Sequence, residues 1–124
     1  MKRKRILKSY WKFSDNRGLI RGIFNNFKIE ESNLIETKKN IIRGQHYHKK
    51  LLEIIHVVEG VVTFYIFDIK KKFASKKIFK LKSGQTIIIY PFEFHWSLSN
   101  TNSKCINYLT KKINFRFPDI HKSL

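Results

Sequence analysis

Residues 43–60 of the chain read RGQHYHKKLLEIIHVVEG, and this stretch decides the fold. His46 and His48 are two residues apart in an extended run, so both side chains point to the same face of one strand. A turn at 49–50 would bring Glu53 back beside the two histidines from the next strand. The stretch therefore predicts two strands that converge on one polar cluster.

A third histidine, His95, follows Pro91 at the start of another predicted strand. Three imidazoles and one carboxylate that converge inside a barrel would satisfy a divalent transition metal such as Zn²⁺, Fe²⁺, Mn²⁺ or Ni²⁺. The alternative is that these histidines are structural groups with satisfied hydrogen bonds. We expect a metal site and no organic cofactor, with the ligands His46, His48, Glu53 and His95.

The composition suits one domain with a packed core, because 42% of the 124 residues are hydrophobic and 15% are aromatic. Lys and Arg number 26 against 9 Asp and Glu, which gives a net charge of +17. Such a charge favours anionic partners, although a solvated basic exterior is the simpler alternative. The single cysteine, Cys105, excludes an intramolecular disulfide and a cysteine-cluster zinc site.

Two targeting classes are excluded by the pattern of apolar residues. No run of about 18 apolar residues is present, so no membrane-spanning helix is expected. The basic N-terminus is followed only by Ile6 and Leu7 before Lys8, which is too short for the apolar core of a signal peptide. We expect a cytoplasmic protein without a membrane partner.

Short apolar runs separated by turn residues make up the rest of the chain. The runs are rich in Ile, Val, Phe, Tyr and Thr, which favour strands, and Gly18, Gly60 and Gly84 mark turns between them. No segment shows a helical apolar stripe with caps at both ends. We predict an all-β sandwich or barrel with strands over residues 19–24, 34–36, 41–48, 53–58, 61–69, 77–81, 86–90, 95–98 and 105–109.

Two spacings in the chain resemble the two motifs of the cupin superfamily. The first, H-x-H-x4-E-x6-G, ends at Gly60, and the second, G-x6-P-x3-H-x4-N, begins at Gly84. Cupins are small jelly rolls, or double-stranded β-helices, that usually hold one metal inside the barrel. The resemblance implies one cupin domain over residues 1–124 with its core at about 15–110, and with the N-terminal strand and the C-terminal tail at an interface.

The run R-G-x-H-x-H-K over residues 43–49 is similar to the cupins that act on nucleotide-linked keto sugars. These are the 3,4-ketoisomerases, the deoxysugar 3,5-epimerases and the C-terminal cupin of capsular polysaccharide reductase–epimerases, in which the D-x-R-G of residues 15–18 also recurs. The ketoisomerases often lack the metal carboxylate, so Glu53 makes the chain resemble the capsule type more closely. The resemblance implies an isomerase or epimerase of a nucleotide-linked 4-keto sugar in bacterial surface-polysaccharide biosynthesis, which acts by proton abstraction next to the ketone.

That reaction needs a base, and histidine titrates near neutrality. His46 and His48 are the first candidates, but a histidine that binds a metal cannot easily be a free base. If both are ligands, the base lies elsewhere, and Tyr90 and Tyr108 could reach the barrel mouth. The other candidates are Tyr47, Tyr65 and His56.

Three residues are candidates for binding the nucleotide part of the substrate. Arg43 precedes the histidine strand, and its planar guanidinium suits a pyrophosphate, although it could instead pair with Glu36 or Glu93. Lys49 would assist it. Trp96 could stack on a base or sugar, or simply cap the barrel core.

Two other functions compete with this reading. One is a non-catalytic cupin that binds a metal or a sugar as a sensor or as the partner of a larger enzyme. The other is a basic β-barrel that binds nucleic acid through runs such as 76–80 and 111–116, which would leave the inward-facing histidines unexplained. We expect a nucleotide-diphosphate sugar as the partner, no nucleic acid, and a homodimer in which residues 6–13 cover an open sheet edge.

Overall fold

In the computed structural model, which describes residues 3–123 and only the backbone at residues 72 and 73, most of the chain forms short strands. A 3₁₀ turn covers Lys72–Ser75. The strands are β1 (Ile6–Leu7), β2 (Trp11–Asp15), β3 (Gly18–Gly22), β4 (Glu31–Thr37), β5 (Ile42–His46), β6 (Glu53–Glu59), β7 (Val61–Asp68), β8 (Lys77–Lys82), β9 (Thr86–Ile89), β10 (Glu93–Ser99) and β11 (Ser103–Leu109). Within this described part, no helix is long and apolar enough to cross a bilayer.

The strands form two main antiparallel sheets. One sheet has the order β1-β9-β6-β11-β4, and the other has the order β5-β10-β7-β8. Consecutive strands from β4 to β7 and from β8 to β11 alternate between the sheets, which is the winding of a small jelly roll. The predicted all-β jelly roll is confirmed, and each of the nine predicted strands is present with shifted ends.

The hydrophobic core joins the facing sides of the two sheets. Alternation along β6 turns Ile55 and Val57 inward, and alternation along β7 does the same for Val62, Phe64 and Ile66. Burial of each such side chain is worth about 1.5–3 kcal/mol. Three of these core residues, Ile55, Val62 and Phe64, also line the cavity that holds the polar cluster described below.

The tight turn between β6 and β7 requires the glycine that closes the first motif. Gly60 has φ +94°, and a Cβ there would collide with the main-chain oxygen of Asn102 in the neighbouring loop. Any other residue would strain this turn and push the two loops apart. The motif glycine therefore allows the chain to turn tightly from β6 in one sheet to β7 in the other.

The hairpin formed by β2 and β3 is a small sheet of its own. Asp15 accepts hydrogen bonds from the main chain and the side chain of Arg17 in its turn, where the sequence predicts one. Residues 6–13 were expected to form an N-terminal strand that covers a sheet edge; β1 at its start pairs with β9 of the same chain, and its end belongs to β2. The large apolar side chains of β2, together with those of β3, are exposed: Trp11, Phe13, Leu19 and Ile20.

Candidate active site

A cavity of about 700 Å³ lies between the two sheets. Strands β4, β5, β6, β7, β10 and β11 supply its walls, and residues 111–121 of the C-terminal segment line one side. The three histidines singled out in the sequence line this cavity, as does Glu53. The candidate site is therefore internal to the jelly roll.

The three imidazoles meet because β5 and β10 are paired. His46 and His95 are opposite each other in this ladder, and their ring centres are 4.7 Å apart. His48 follows two residues after His46, with ring centres 4.9 Å apart. One nitrogen from each of the three rings lies within 4.8 Å of the other two. This places the nitrogens close enough to share one small cation.

Gly44 allows β5 to approach β10 closely at this point. Its φ is +99°, and a Cβ there would lie 2.9 Å from the main-chain oxygen of His95. A side chain at position 44 would have to push the His95 backbone away. The glycine that stands directly before the histidine motif thus contributes to the short distance between His46 and His95.

Glu53, the first residue of β6, completes the cluster and is only 7% exposed. Its Oε1 lies 3.3 Å from Nε2 of His48 and 3.5 Å from Nε2 of His95. Its Oε2 accepts a hydrogen bond of 3.0 Å from Nδ2 of Asn107. The structure thus brings together the four residues named as metal ligands from the sequence.

The tautomers of two rings follow from their hydrogen bonds. Nδ1 of His48 donates to the main-chain oxygen of Asp119 at 2.6 Å, and Nδ1 of His95 donates to that of Glu93 at 2.9 Å. A carbonyl oxygen only accepts, so both Nδ1 atoms carry hydrogen, and in the neutral rings Nε2 presents a lone pair. Two lone pairs and a carboxylate oxygen then converge on one point. Such a donor set fits a proton or a divalent metal ion, since either removes the repulsion between the two lone pairs and the carboxylate oxygen.

The surroundings shift the pKa values of the clustered side chains, and the direction differs between the two motif histidines. Burial disfavours the charged form of Glu53, but hydrogen bonds from His48 and His95 outweigh it and hold the pKa of Glu53 below its ordinary value. Burial likewise opposes a charge on His48, yet Glu53 raises the pKa of this ring overall. For His46, burial and the neighbouring rings His95 and His48 lower the pKa to about 4. His46 is therefore a neutral ring at neutral pH.

The C-terminal segment is attached beside the histidines through Asp119. The carboxylate of Asp119 accepts hydrogen bonds from the main-chain N–H groups of Lys49, Lys50 and Leu51, at 2.9, 2.8 and 3.1 Å. Tyr47 pairs through its main chain with the residue two positions further on, His121, at 2.9 and 3.0 Å. The tail, which the resemblance placed at an interface, contacts the body of its own chain here.

Arg43 and several lysines form a basic rim on the cavity. Nε of Arg43 donates to Oγ1 of Thr37 at 2.8 Å, and one Nη donates to the main-chain oxygen of Glu36 at 3.0 Å. The guanidinium is exposed. From the sequence, pairing with the carboxylate of Glu36 was the alternative role of Arg43, and in the structure Arg43 bonds to the main-chain oxygen of Glu36 instead. The lysines that line the cavity with it are Lys49, Lys50, Lys111 and Lys112.

Three residues named as site candidates, Tyr90, Tyr108 and Trp96, are not among the residues that line the cavity. Tyr90 donates its hydroxyl hydrogen to the main-chain oxygen of Lys4. Tyr108 packs its ring edge-on against Phe24, and Trp96 stacks on Tyr65 with ring centres 5.1 Å apart. Trp96 and Tyr108 each follow a cavity-lining residue on their strands, so alternation turns them to the outer faces.

The remaining base candidates are also outside the cavity. Tyr47 is buried between Phe92 and His121, and His56 lies on the outer side of β6, where Nδ1 contacts Oγ1 of Thr86 at 2.7 Å. Tyr65 belongs to the stack with Trp96. Of the base candidates named from the sequence, His46 and His48 are the two that line the cavity.

Two residues of the site were missed in the sequence. Asn107 and Asp119 contact Glu53 and His48 from positions 54 and 71 residues further along the chain. Asn107 depends on the pairing of β11 with β6, and Asp119 acts on His48 through a main-chain atom. The only signal for Asn107 was a polar residue within an otherwise apolar strand.

Comparison with known proteins gives matches in structure alone. No protein-family model matches the sequence, and no curated protein matches it. The WlaRB TDP-quinovose 3,4-ketoisomerase from Campylobacter jejuni is similar in structure, with a TM-score of 0.81 and 20% identity over 95% of this chain and 91% of that one.

Two further solved structures extend the comparison. QdtA, a sugar 3,4-ketoisomerase from Thermoanaerobacterium thermosaccharolyticum solved in complex with TDP, has a TM-score of 0.79 and 19% identity over 95% of this chain and 86% of its own. The dTDP-4-dehydrorhamnose 3,5-epimerase from Sulfolobus tokodaii has a TM-score of 0.72 and 21% identity over 83% and 68%. At such identities the likeness concerns the fold alone: the chain has a small jelly-roll fold like that of these proteins.

Proposed function

We propose that the chain is an isomerase or epimerase that moves a proton next to the ketone of a nucleotide-linked 4-keto sugar, in bacterial surface-polysaccharide biosynthesis. The observation that carries this proposal is the position of the His46 ring beside the convergent Nε2 and Oε1 atoms of His48, His95 and Glu53, inside a cavity with a basic rim. Its structural neighbours include a 3,4-ketoisomerase solved with TDP-4-keto-6-deoxyglucose.

His46 is the proposed base. Its ring is half-buried, its pKa is lowered to about 4, and no hydrogen bond holds it among the residues that the structure describes. The ring is therefore unprotonated at neutral pH, which is the form that a general base requires. Return of the abstracted proton to the opposite face of the carbon next to the ketone inverts that carbon. Return to the former carbonyl carbon, with loss of the neighbouring hydroxyl proton, moves the ketone.

His48, His95 and Glu53 are the proposed cation holders, and His46 lies beside them as the base rather than as a ligand. Their Nδ1 hydrogen bonds fix both rings with Nε2 toward Glu53, which is the arrangement that ligating histidines need. A divalent metal bound there would polarise the ketone oxygen and stabilise the enolate. The metal and the catalytic roles of these residues are proposals that rest on this donor geometry.

The basic rim is the proposed binding site for the pyrophosphate. Arg43 keeps its guanidinium exposed on the cavity wall, and Lys49 lies across the turn that Asp119 holds. A planar guanidinium can bind phosphate oxygens through two parallel hydrogen bonds. Trp96 lies outside the cavity, so Phe117, an aromatic residue that lines it, takes the proposed place against the nucleotide base.

We also propose a homodimer in the cytoplasm. The hairpin of β2 and β3 exposes apolar side chains, with Phe13 50% and Ile20 57% exposed, and a second copy would bury them. The single cupin domain over residues 1–124 with both termini at an interface stays a prediction, and residues 1, 2 and 124 lie outside the described part.

The test is the exchange of solvent deuterium into a panel of dTDP-linked 4-keto sugars, followed by mass spectrometry and NMR. We expect exchange with the unmodified protein and its loss in His46→Asn. His56→Asn is the matched control, because His56 lies outside the cavity. Absence of exchange with every substrate, from a folded protein that binds them, would favour the alternative of a non-catalytic sugar- or metal-binding cupin.

A further inference from the structure

A line of hydrogen bonds crosses the five-stranded sheet and ends at the histidine cluster. It begins on β4 at Glu31 and Asn33, passes through Asn107 on β11, and reaches Glu53 on β6. Nδ2 of Asn33 donates to Oε2 of Glu31 at 2.9 Å and to Oδ1 of Asn107 at 3.0 Å. Nδ2 of Asn107 donates to Oε2 of Glu53 at 3.0 Å. Three neighbouring strands are thus connected through their side chains.

The direction of every bond in this line is determined by its two ends. Both ends are carboxylates, which accept, and both middle members are amides, which carry donors and an acceptor. Asn33 uses one hydrogen on each side, so Asn107 must present its oxygen to Asn33 and its NH₂ group to Glu53. The amide of Asn107 is therefore held in one orientation.

This orientation determines which oxygen of Glu53 faces the histidines. Oε2 is occupied by Asn107, and Oε1 remains for Nε2 of His48 and His95, at 3.3 and 3.5 Å. Glu53 and Asn107 are both buried, at 7% and 9% exposure, so water does not readily replace the amide. Without this donor, rotation of the carboxylate would no longer be opposed by a buried partner.

We propose that Asn107 is a positioning residue of the histidine cluster, which fixes the Glu53 carboxylate between His48 and His95, with Asn33 as the residue that orients Asn107. The kinetic and metal-binding parts of its test rest on the proposed function, and the imidazole resonances do not. A residue of this kind forms a hydrogen bond to a metal ligand without binding the metal itself. Its loss typically lowers metal affinity or activity about 10- to 100-fold.

The decisive variant is Asn107→Asp, which keeps the shape and the acceptor toward Asn33 but replaces the donor toward Glu53. Two carboxylates would then face each other in a buried place, and they would have to share a proton or separate. Asn100→Asp is the matched control. The amide oxygen of Asn100 accepts from Oγ1 of Thr63 at 2.6 Å, and an aspartate preserves that bond.

The readout that does not depend on activity is the set of imidazole ¹⁵N resonances of His48 and His95 in the metal-free protein, assigned with single His→Asn variants. We expect Asn107→Asp to shift these resonances and Asn100→Asp to leave them in place. We also expect calorimetry with Zn²⁺ to give an affinity about 10- to 100-fold lower for Asn107→Asp. Unchanged imidazole resonances in a folded Asn107→Asp protein would overturn the proposal, whatever the enzyme assays give.

Kinetics separate positioning from direct contact with substrate, since Asn107 also lines the cavity. A positioning role predicts a lower kcat with a nearly constant KM, whereas a substrate contact predicts a higher KM and unshifted imidazole resonances.

If Asn107→Asp does not fold, the variant Asn33→Ser provides the test, because Asn33 is only half-buried. It removes the bond that orients Asn107, and the same resonances should shift by a smaller amount; no shift would overturn the proposal.

Discussion

His48 and Asp119 are joined by a hydrogen bond of 2.6 Å from Nδ1 of the ring to a main-chain oxygen, across 71 residues of sequence. The same aspartate uses its carboxylate to hold the turn that follows His48. One residue of the C-terminal segment therefore fixes both the orientation of the ring and the path of the backbone beside it. The same segment also lines one side of the cavity.

Replacement of Asp119 by Ala should destabilise the protein by about 1.5–3 kcal/mol, because charged hydrogen bonds to three main-chain N–H groups are lost together. The measurement is urea unfolding followed by fluorescence. Asp68→Ala is the control, since Asp68 accepts one main-chain hydrogen bond, from Lys70, away from the cavity. Equal stability of the two variants would show that the turn does not need the carboxylate.

The contribution of Asp119 should depend on pH in the acid range. Burial raises the pKa of this carboxyl, but the main-chain donors Lys49, Lys50 and Leu51 and the ring of His121 outweigh it and lower the pKa from 3.8 to about 2. A lowered pKa in the folded state means that the stabilisation is complete above about pH 4 and is lost as pH falls toward 2.

The measurement is the difference in unfolding free energy between the unmodified protein and Asp119→Asn, followed from pH 6 to about pH 2. We expect a constant difference down to about pH 4 and a decreasing one below it. A difference that grows as the solution is acidified would contradict the assignment of the charge to Asp119.

Three of the four clustered residues could be predicted from the sequence because their positions depend on local rules, whereas His95 joins them through the pairing of β5 with β10 and was indicated by the second motif. A spacing of two places His46 and His48 on one face of an extended run, and a turn of a few residues returns Glu53 to them. The same alternation places Trp96 outside, next to the inward His95, so the sequence already held the signal against Trp96 as a substrate contact. Asn107 could not be assigned in this way, because its partner depends on how β11 registers against β6.

Metal content should separate the roles of the two motif histidines. His48→Asn should abolish stoichiometric binding of a divalent metal, because His48 faces Glu53 with a fixed Nε2. His46→Asn should retain the metal and lose proton exchange, since His46 has no such hydrogen bond among the described residues. Elemental analysis of the purified variants checks this, with His56→Asn as control. The same metal content in His48→Asn as in the unmodified protein would remove His48 from the site.

Arg43 should account for a large part of the affinity for a nucleoside diphosphate. Arg43→Ala should weaken binding about ten- to a hundredfold, because a charge-assisted contact contributes about 1.5–3 kcal/mol. Arg43→Lys should recover only part of this, since a point charge cannot reproduce the fork. Calorimetry with dTDP is the measurement. Equal affinities in folded proteins would assign Arg43 to the support of Thr37 and Glu36 alone.

The exposed hairpin should be what holds two copies together. Phe13 and Ile20 are opposite each other on β2 and β3, so they present one apolar face. Replacing both with Glu would place charges where a partner must exclude water, and association should be lost. Light scattering at micromolar protein should then give a mass near the 14.9 kDa of one chain, against twice that for the unmodified protein.

Leu34→Glu is the control, because Leu34 is 62% exposed on the edge strand β4, away from the hairpin. A double variant that keeps the mass of the unmodified protein would exclude the hairpin as the contact, and a single-chain mass for the unmodified protein would exclude the dimer.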